Sequence, residues 1–172
     1  MKIVPSKLYA FEAACQCRQQ RKQEGKKVVL TNGCFDLLHV GHIFSLEQAR
    51  RQGDSLWIAL NADESVRALK GPQRPFYSEQ ERAYLLSALT VVEGIFIFHS
   101  LRLDREIRLF APDVYVKSGD YTLEKLDPSE RQALQEVGAH VHFAEMLEGF
   151  STTQMAQKWT QSSCNGKTGD RQ

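Results

Sequence analysis

Short apolar runs alternate with amphipathic stretches along the chain, and the order they give is helix, strand, helix, strand and onward. Lys7 to about Glu24 is charged, with Leu8, Phe11 and Ala14 on one face, and reads as a helix that ends at Gly25. Lys27 to Thr31 reads as a short buried strand. A turn at Asn32 to Asp36 leads into a helix from about His39 to Gln52, where Ile43, Leu46 and Ala49 share a face and Gly53 supplies the stop. Ser55 to Asn61 is a second strand. Asn61 to Tyr77, with Gly71 and two prolines, reads as loop. Ser78 and Glu81 form a capping box for a helix carrying Ala83, Leu86 and Leu89.

The second half continues in the same way. Gly94 to Phe98 is a third strand, followed by a short helix near Arg105 to Phe110. Val114 to Lys117 is a fourth strand, closed by Ser118-Gly119-Asp120. Asp127 as N-cap and Pro128 at the first helical position open a helix that stops at Gly138. His140 to Phe143 is a fifth strand. Ser151 or Thr152 caps a last helix to about Trp159, and Gln161 to Gln172 reads as a disordered polar tail. The pattern predicts an α/β fold with a doubly wound, five-stranded parallel sheet. It also divides the chain into an N-terminal helix (1–25), a main α/β domain (26–160) and a tail (161–172). Ligands of such sheets bind beyond the carboxyl ends of the strands, which directs attention to the residues after Thr31, Asn61, Lys117 and Phe143.

Bulk properties exclude several classes. With 172 residues, 42% hydrophobic and 25% charged, the chain fits one ordinary domain. A formal net charge of +1 gives no electrostatic footprint for nucleic acid. No apolar run approaches a bilayer span and the N-terminus carries no signal segment, so the expected compartment is the cytoplasm. Four cysteines in a chain of this length form no disulfide framework, and Cys15 and Cys17 are too close for an unstrained bridge.

The strongest chemical signal follows the first strand. His39 and His42, three apart at a helix start, lie on one side of that helix, and Gly41 between them lets a polyanion approach the backbone. Free amides at the helix N-terminus complete a site for phosphate oxygens. The competing reading is a zinc pair that recruits Cys34. Lys70, beside Gly71, is either a cation that closes over reacting phosphates or a solvated surface lysine. Lys117 ends a strand at the ligand edge. Asn61 and Asp63 are placed to bind ribose or base, with capping of the turn Glu64 to Leu69 as the alternative for Asp63.

At this point the sequence resembles the HxGH nucleotidyltransferase superfamily, in its cytidylyltransferase-like group. The stretch Thr31 to His42, the Leu69-Lys70-Gly71 segment with Arg74-Pro75, the run Val116 to Tyr121, and Ser151-Thr152-Thr153 occur in that family's order. The similarity is greatest to the adenylyltransferase domains of ADP-heptose synthesis, which act on D-glycero-β-D-manno-heptose 1-phosphate in lipopolysaccharide assembly.

The resemblance implies in-line attack of an acceptor phosphate on the α-phosphorus of ATP, with pyrophosphate leaving. It gives His39, His42, Lys70 and Lys117 catalytic roles. It puts the nucleotide against Asn32, Gly33, Cys34, Phe35 and Gly41, with Asn61 and Asp63, and its outer phosphates at Ser151, Thr152 and Thr153. It assigns Arg74, Arg82, Gly119 and Asp120 to the acceptor. It also implies Mg²⁺ carried on the phosphates, with no protein ligands named, and a homodimer, for which the apolar face of the first helix is the available surface.

Glycerol-3-phosphate cytidylyltransferases, which are also similar, carry an Arg-Thr pair where this chain has Met146-Leu147, and that departure favours the heptose type. Heptose enzymes often carry a sugar kinase ahead of this domain. The present sequence shows none, so a kinase on a separate chain is expected. The alternatives are a cytidylyltransferase for a polyol phosphate, a nucleotide sensor without turnover, and a fragment of a HIGH-type tRNA synthetase. The length and charge offer no RNA-binding domain for the last of these.

Overall fold

The computed structural model describes residues 4–119, 122–145 and 147. The expected last helix with Ser151, Thr152 and Thr153, the tail, Asp120 and Met146 lie outside the described residues.

Five strands run parallel: β1 (Val28–Gly33), β2 (Ser55–Asn61), β3 (Gly94–Phe98), β4 (Val114–Ser118) and β5 (His140–Ala144). Their order in the sheet is β3-β2-β1-β4-β5. The chain therefore winds outward from β1 in one direction, then crosses back to start again at β4. This reversal leaves a crevice above the carboxyl ends of β1 and β4, because the loops on either side of it turn to opposite faces.

Both faces of the sheet are covered, so its strands read as continuous apolar runs. Successive residues serve opposite layers. Val28 and Leu30 of β1, with Trp57, Ala59, Phe96 and Tyr115, pack under α1 (Phe11–Gln23), α5 (Asp104–Phe110) and α6 (Pro128–Val137). Val29, with Leu56, Ile58, Leu60, Ile95 and Val116, packs under α2 (Val40–Arg50) and α4 (Glu79–Ser87). Both predicted cap systems are present. Ser78 accepts from the Glu81 amide while the Glu81 carboxylate accepts from that of Ser78, and Asp127 accepts from the Ser129 amide.

Three expectations are corrected. The first helix begins at Phe11, because the segment before it runs beside the sheet edge: Leu8 bridges Ile95, whose carbonyl accepts from the Tyr9 amide at 2.9 Å. Within the stretch read as loop, Asp63–Lys70 is a helix, α3, which buries Ser65 and Val66. The apolar face of α1 is not free for a dimer partner. Ala14 is fully buried and the Phe11 ring packs tilted against Phe96 with centroids 5.0 Å apart, so this face serves the chain's own core. Arg18 of the same helix is buried as well. It donates to the Ala111 carbonyl and to Asp113, whose other oxygen accepts from the Val28 amide, so α1 is tied to the start of β1.

Gly94 opens β3 because nothing larger fits there: an added Cβ would lie 2.4 Å from the Trp57 ring. Gly94→Ala is expected to destabilise the fold by ~1–3 kcal/mol through overpacking. A denaturant titration would show this as a lower midpoint with unchanged slope, and an unmoved midpoint would contradict the close approach.

Candidate active site

The crevice at the β1/β4 crossover holds two connected hollows. A cleft of about 430 Å³ runs from the ends of β1 and β4 toward α6. A smaller chamber of about 160 Å³ lies under the start of α2. They share Asn32, Gly33, Cys34, Lys70, Lys117 and Ser118. A ligand that fills both therefore passes between the lysines.

His42 lines the chamber, and His39 stacks on its imidazole. His39 is the N-cap of α2, and its side chain makes no capping hydrogen bond. The first-turn amides are thus left for an anion, while the His42 amide turns back to the His39 carbonyl at 2.9 Å. The two imidazoles stack with centroids 3.8 Å apart, and His42, which lines the chamber, leans at 5.2 Å on Phe35. Nδ1 of each ring is buried without a hydrogen-bond partner among the described residues. Unpaired buried nitrogens cost stability, and such groups concentrate where a ligand supplies the partner.

Burial, then the neighbouring His39, then Lys70 hold the His42 pKa at about 4, below its usual 6.5. Burial and Lys70 lower that of His39 too. Both rings are therefore neutral at pH 7 in the free protein. Among the described residues no group of three His, Cys, Asp or Glu is placed to hold a metal, which removes the zinc reading that included Cys34. Burial instead raises the Cys34 thiol and keeps it protonated.

Backbone geometry shapes the exit from β1. Phe35 has φ of 44°, a left-handed conformation that costs a non-glycine residue ~1–2 kcal/mol. Its ring edge would stand 3.0 Å from a Cβ on Gly33, so Gly33 gives the turn its room. Asn32 faces the other way: its Oδ1 accepts from Tyr115 Oη and from Lys117 Nζ, both at 2.8 Å. Burial lowers the Lys117 pKa, with Glu130 opposing and Arg102 adding to the effect. Lys70 ends α3 on the opposite wall and lines both hollows. Gly119 has φ of 115°, so this position favours glycine for conformational reasons.

Three site residues inferred from sequence have other work. Arg82 does not face a substrate. Its side chain is fully buried and bonds the Tyr77 carbonyl at 3.0 Å, the Cys34 carbonyl at 2.6 Å and Asp63 at 2.7 Å. Asp63 is thereby committed to Arg82 and does not cap α3, whose N-cap is Ala62. Arg74 pairs with the buried Asp36 and lies 4.0 Å over the Phe76 ring, fastening the loop after α3 to the exit of β1. Asn61 lines the cleft while its amide donates to Ser65. The far wall of the cleft, which sequence reasoning missed, is built by Leu101 and Arg102 before α5 and by Lys125, Asp127 and Glu130 around the start of α6.

A strand-turn-helix with paired neutral imidazoles and uncapped amides, flanked by two lysines at a sheet crossover, is suited to holding phosphate groups. The chain belongs to the cytidylyltransferase-like family, whose model matches residues 30–165. It is 47% identical over 137 residues to the bifunctional protein HldE of Koribacter versatilis, covering 80% of this chain and 28% of that protein. It is 41% identical over 153 residues to the bifunctional protein HldE of Syntrophotalea carbinolica, covering 89% and 31%. The chain thus spans less than a third of the length of these curated relatives. Among solved structures, the crystal structure of the lipopolysaccharide core biosynthesis protein from Thermoplasma volcanium matches with a TM-score of 0.59 and 27% identity, over 72% of this chain and 98% of that one. Among the described residues no helix is long and apolar enough to cross a membrane.

Proposed function

We propose that this chain transfers AMP from ATP to a sugar 1-phosphate, D-glycero-β-D-manno-heptose 1-phosphate, giving an ADP-sugar and pyrophosphate in the cytoplasm. The observation that supports this reading best is the joining of the histidine chamber to the cleft through Lys70 and Lys117, in a chain so similar to proteins named bifunctional protein HldE.

The triphosphate lies at the start of α2, with its phosphate oxygens on the imidazoles and the free amides. The acceptor phosphate enters from the cleft, and one of its oxygens attacks the α-phosphorus in line while the bond to pyrophosphate breaks. The protein forms no covalent intermediate. It aligns the two phosphates and stabilises charge that grows on the equatorial and leaving oxygens.

Lys70 and Lys117 stand where the two phosphates meet and offset their mutual repulsion. Lys117 is held in place by Asn32. The donor set fits Mg²⁺ only as an ion carried by the phosphates, since no carboxylate cluster converges there among the described residues. When bound, the ion neutralises phosphate charge.

The test is pyrophosphate release with each of ATP, CTP, GTP and UTP against heptose 1-phosphate, mannose 1-phosphate and glycerol 3-phosphate, with products identified by mass. ADP-heptose from ATP and heptose 1-phosphate is the expected result. Turnover confined to CTP with glycerol 3-phosphate would replace the reading with a cytidylyltransferase, and nucleotide binding without turnover would make the chain a sensor.

A further inference from the structure

The proposed function leaves one part of the cleft without a role: the wall away from the histidines. Two segments build it, the stretch leading into α5 and the first turn of α6, and Glu130 joins them. Its Oε1 accepts from the Leu103 amide at 3.0 Å. The residue is only 6% exposed, yet it lines the cleft, and its second oxygen has no hydrogen-bond partner among the described residues. That oxygen is reached from the cleft, where it can accept from a ligand donor that takes the place of water.

The neighbours restrict what that donor is. Lys117, Arg102 and Glu130 all line this cleft. Arg102 pairs with Asp127 at 2.9 Å and keeps a side chain more than half exposed. Asp127 is already committed, since its Oδ1 caps α6 at Ser129 and its Oδ2 meets Arg102. No aromatic ring lines the cleft among the described residues, so it offers no cage for a quaternary ammonium group. A second anionic group on the acceptor body would be repelled by Glu130. A hydroxyl satisfies the geometry: it donates to Glu130 and accepts from a guanidinium.

Resting on the function proposed above, we infer that Glu130 is a specificity-determining residue of the acceptor subsite. It takes a hydrogen bond from a hydroxyl of a polyhydroxylated, uncharged sugar body, and Arg102 stands beside it as donor. The acceptor phosphate then points toward Lys117 and Lys70, and the sugar lies against α6. The subsite selects against sugar phosphates that lack the hydroxyl it reads.

Glu130→Gln tests this, because the amide oxygen can still accept from Leu103 while the group facing the cleft becomes a donor. The KM for heptose 1-phosphate should rise about 10- to 100-fold, the worth of one hydrogen bond to a charged acceptor, with the KM for ATP unmoved. A residue that only held the Leu103 loop would leave the acceptor KM where it was.

The wild-type protein supplies a second measurement that needs no variant. Across the monodeoxy mannose 1-phosphates, one analogue should lose at least about tenfold in kcat/KM, since an unmet buried group costs that much or more. In Glu130→Gln that discrimination should vanish. Turnover with a flat deoxy series would overturn the subsite alone. No turnover with any sugar 1-phosphate would overturn the proposed function and this subsite with it.

Discussion

Replacing His42 by Ala should leave a folded protein whose kcat has fallen by at least about 10²–10³-fold, the usual effect of losing one preorganised donor to a charge-developing transition state. The fold should tolerate the change because this imidazole contributes no hydrogen bond to it. Its buried Nδ1 is unpartnered, and its contacts are ring faces, His39 at 3.8 Å and Phe35 at 5.2 Å. Steady-state rates with saturating ATP and acceptor, beside a thermal melt, check both halves. A variant that turns over near the wild-type rate would remove the histidines from the mechanism.

The protonation state of the same ring gives an independent reading. In the free protein its pKa is about 4, depressed chiefly by burial from 6.5. The unfolded chain therefore binds more protons between these values, so the His42 contribution to stability is full above pH 6.5 and is lost as the pH falls toward 4. A triphosphate placed against the ring favours the charged form and raises its pKa. ATP binding should then take up protons near pH 6, and affinity should increase as the pH drops through the bound-state pKa. Calorimetry in buffers of different ionisation heat would detect the uptake in wild type and its reduction in His42→Ala. Equal proton counts in the two proteins would place the triphosphate elsewhere.

What the sequence disclosed follows from how local each signal is. The strands were plain because a sheet covered on both faces needs unbroken apolar runs: every residue of Ser55–Asn61 is buried, and that run is legible without any tertiary knowledge. The caps at Ser78 and Asp127 are equally local, completed within three residues. The histidine pair was legible because a strand, a turn and a helix start place it at the sheet crossover by themselves.

Lys7 to Tyr9 misled because its pattern suits a helix, while its hydrogen bonds go to Ile95, far along the chain. α3 was hidden by Gly71, Pro72 and Pro75, which mark its end and the loop beyond but drew the whole stretch into the loop. Glu130 reads from its spacing as an acidic residue in a helix first turn, which it is. That its side chain reaches Leu103 and the cleft depends on how α6 docks against α5, a matter on which local pattern is silent.

The fate of Arg82 makes the same point with a measurable consequence. A lone arginine after a capping box gives no sign of whether it meets phosphate or protein, because its partners are remote: Asp63 on α3 and the Cys34 carbonyl at the exit of β1. In the folded chain it fastens three elements, α3, α4 and the turn that presents the histidines. Arg82→Ala would leave the Asp63 carboxylate without its cation and two carbonyls without a donor, beside a cavity in the core. Breaking a buried pair from one side costs ~3–5 kcal/mol, a large part of the stability of any domain. Arg82→Lys should rescue little, since an ammonium cannot reproduce the fixed fork that spans Tyr77, Cys34 and Asp63. Chemical denaturation reads the loss directly. An arginine that bound the acceptor instead would give the opposite result on substitution by Ala: an unmoved midpoint, and a raised KM for the sugar phosphate in an otherwise stable protein.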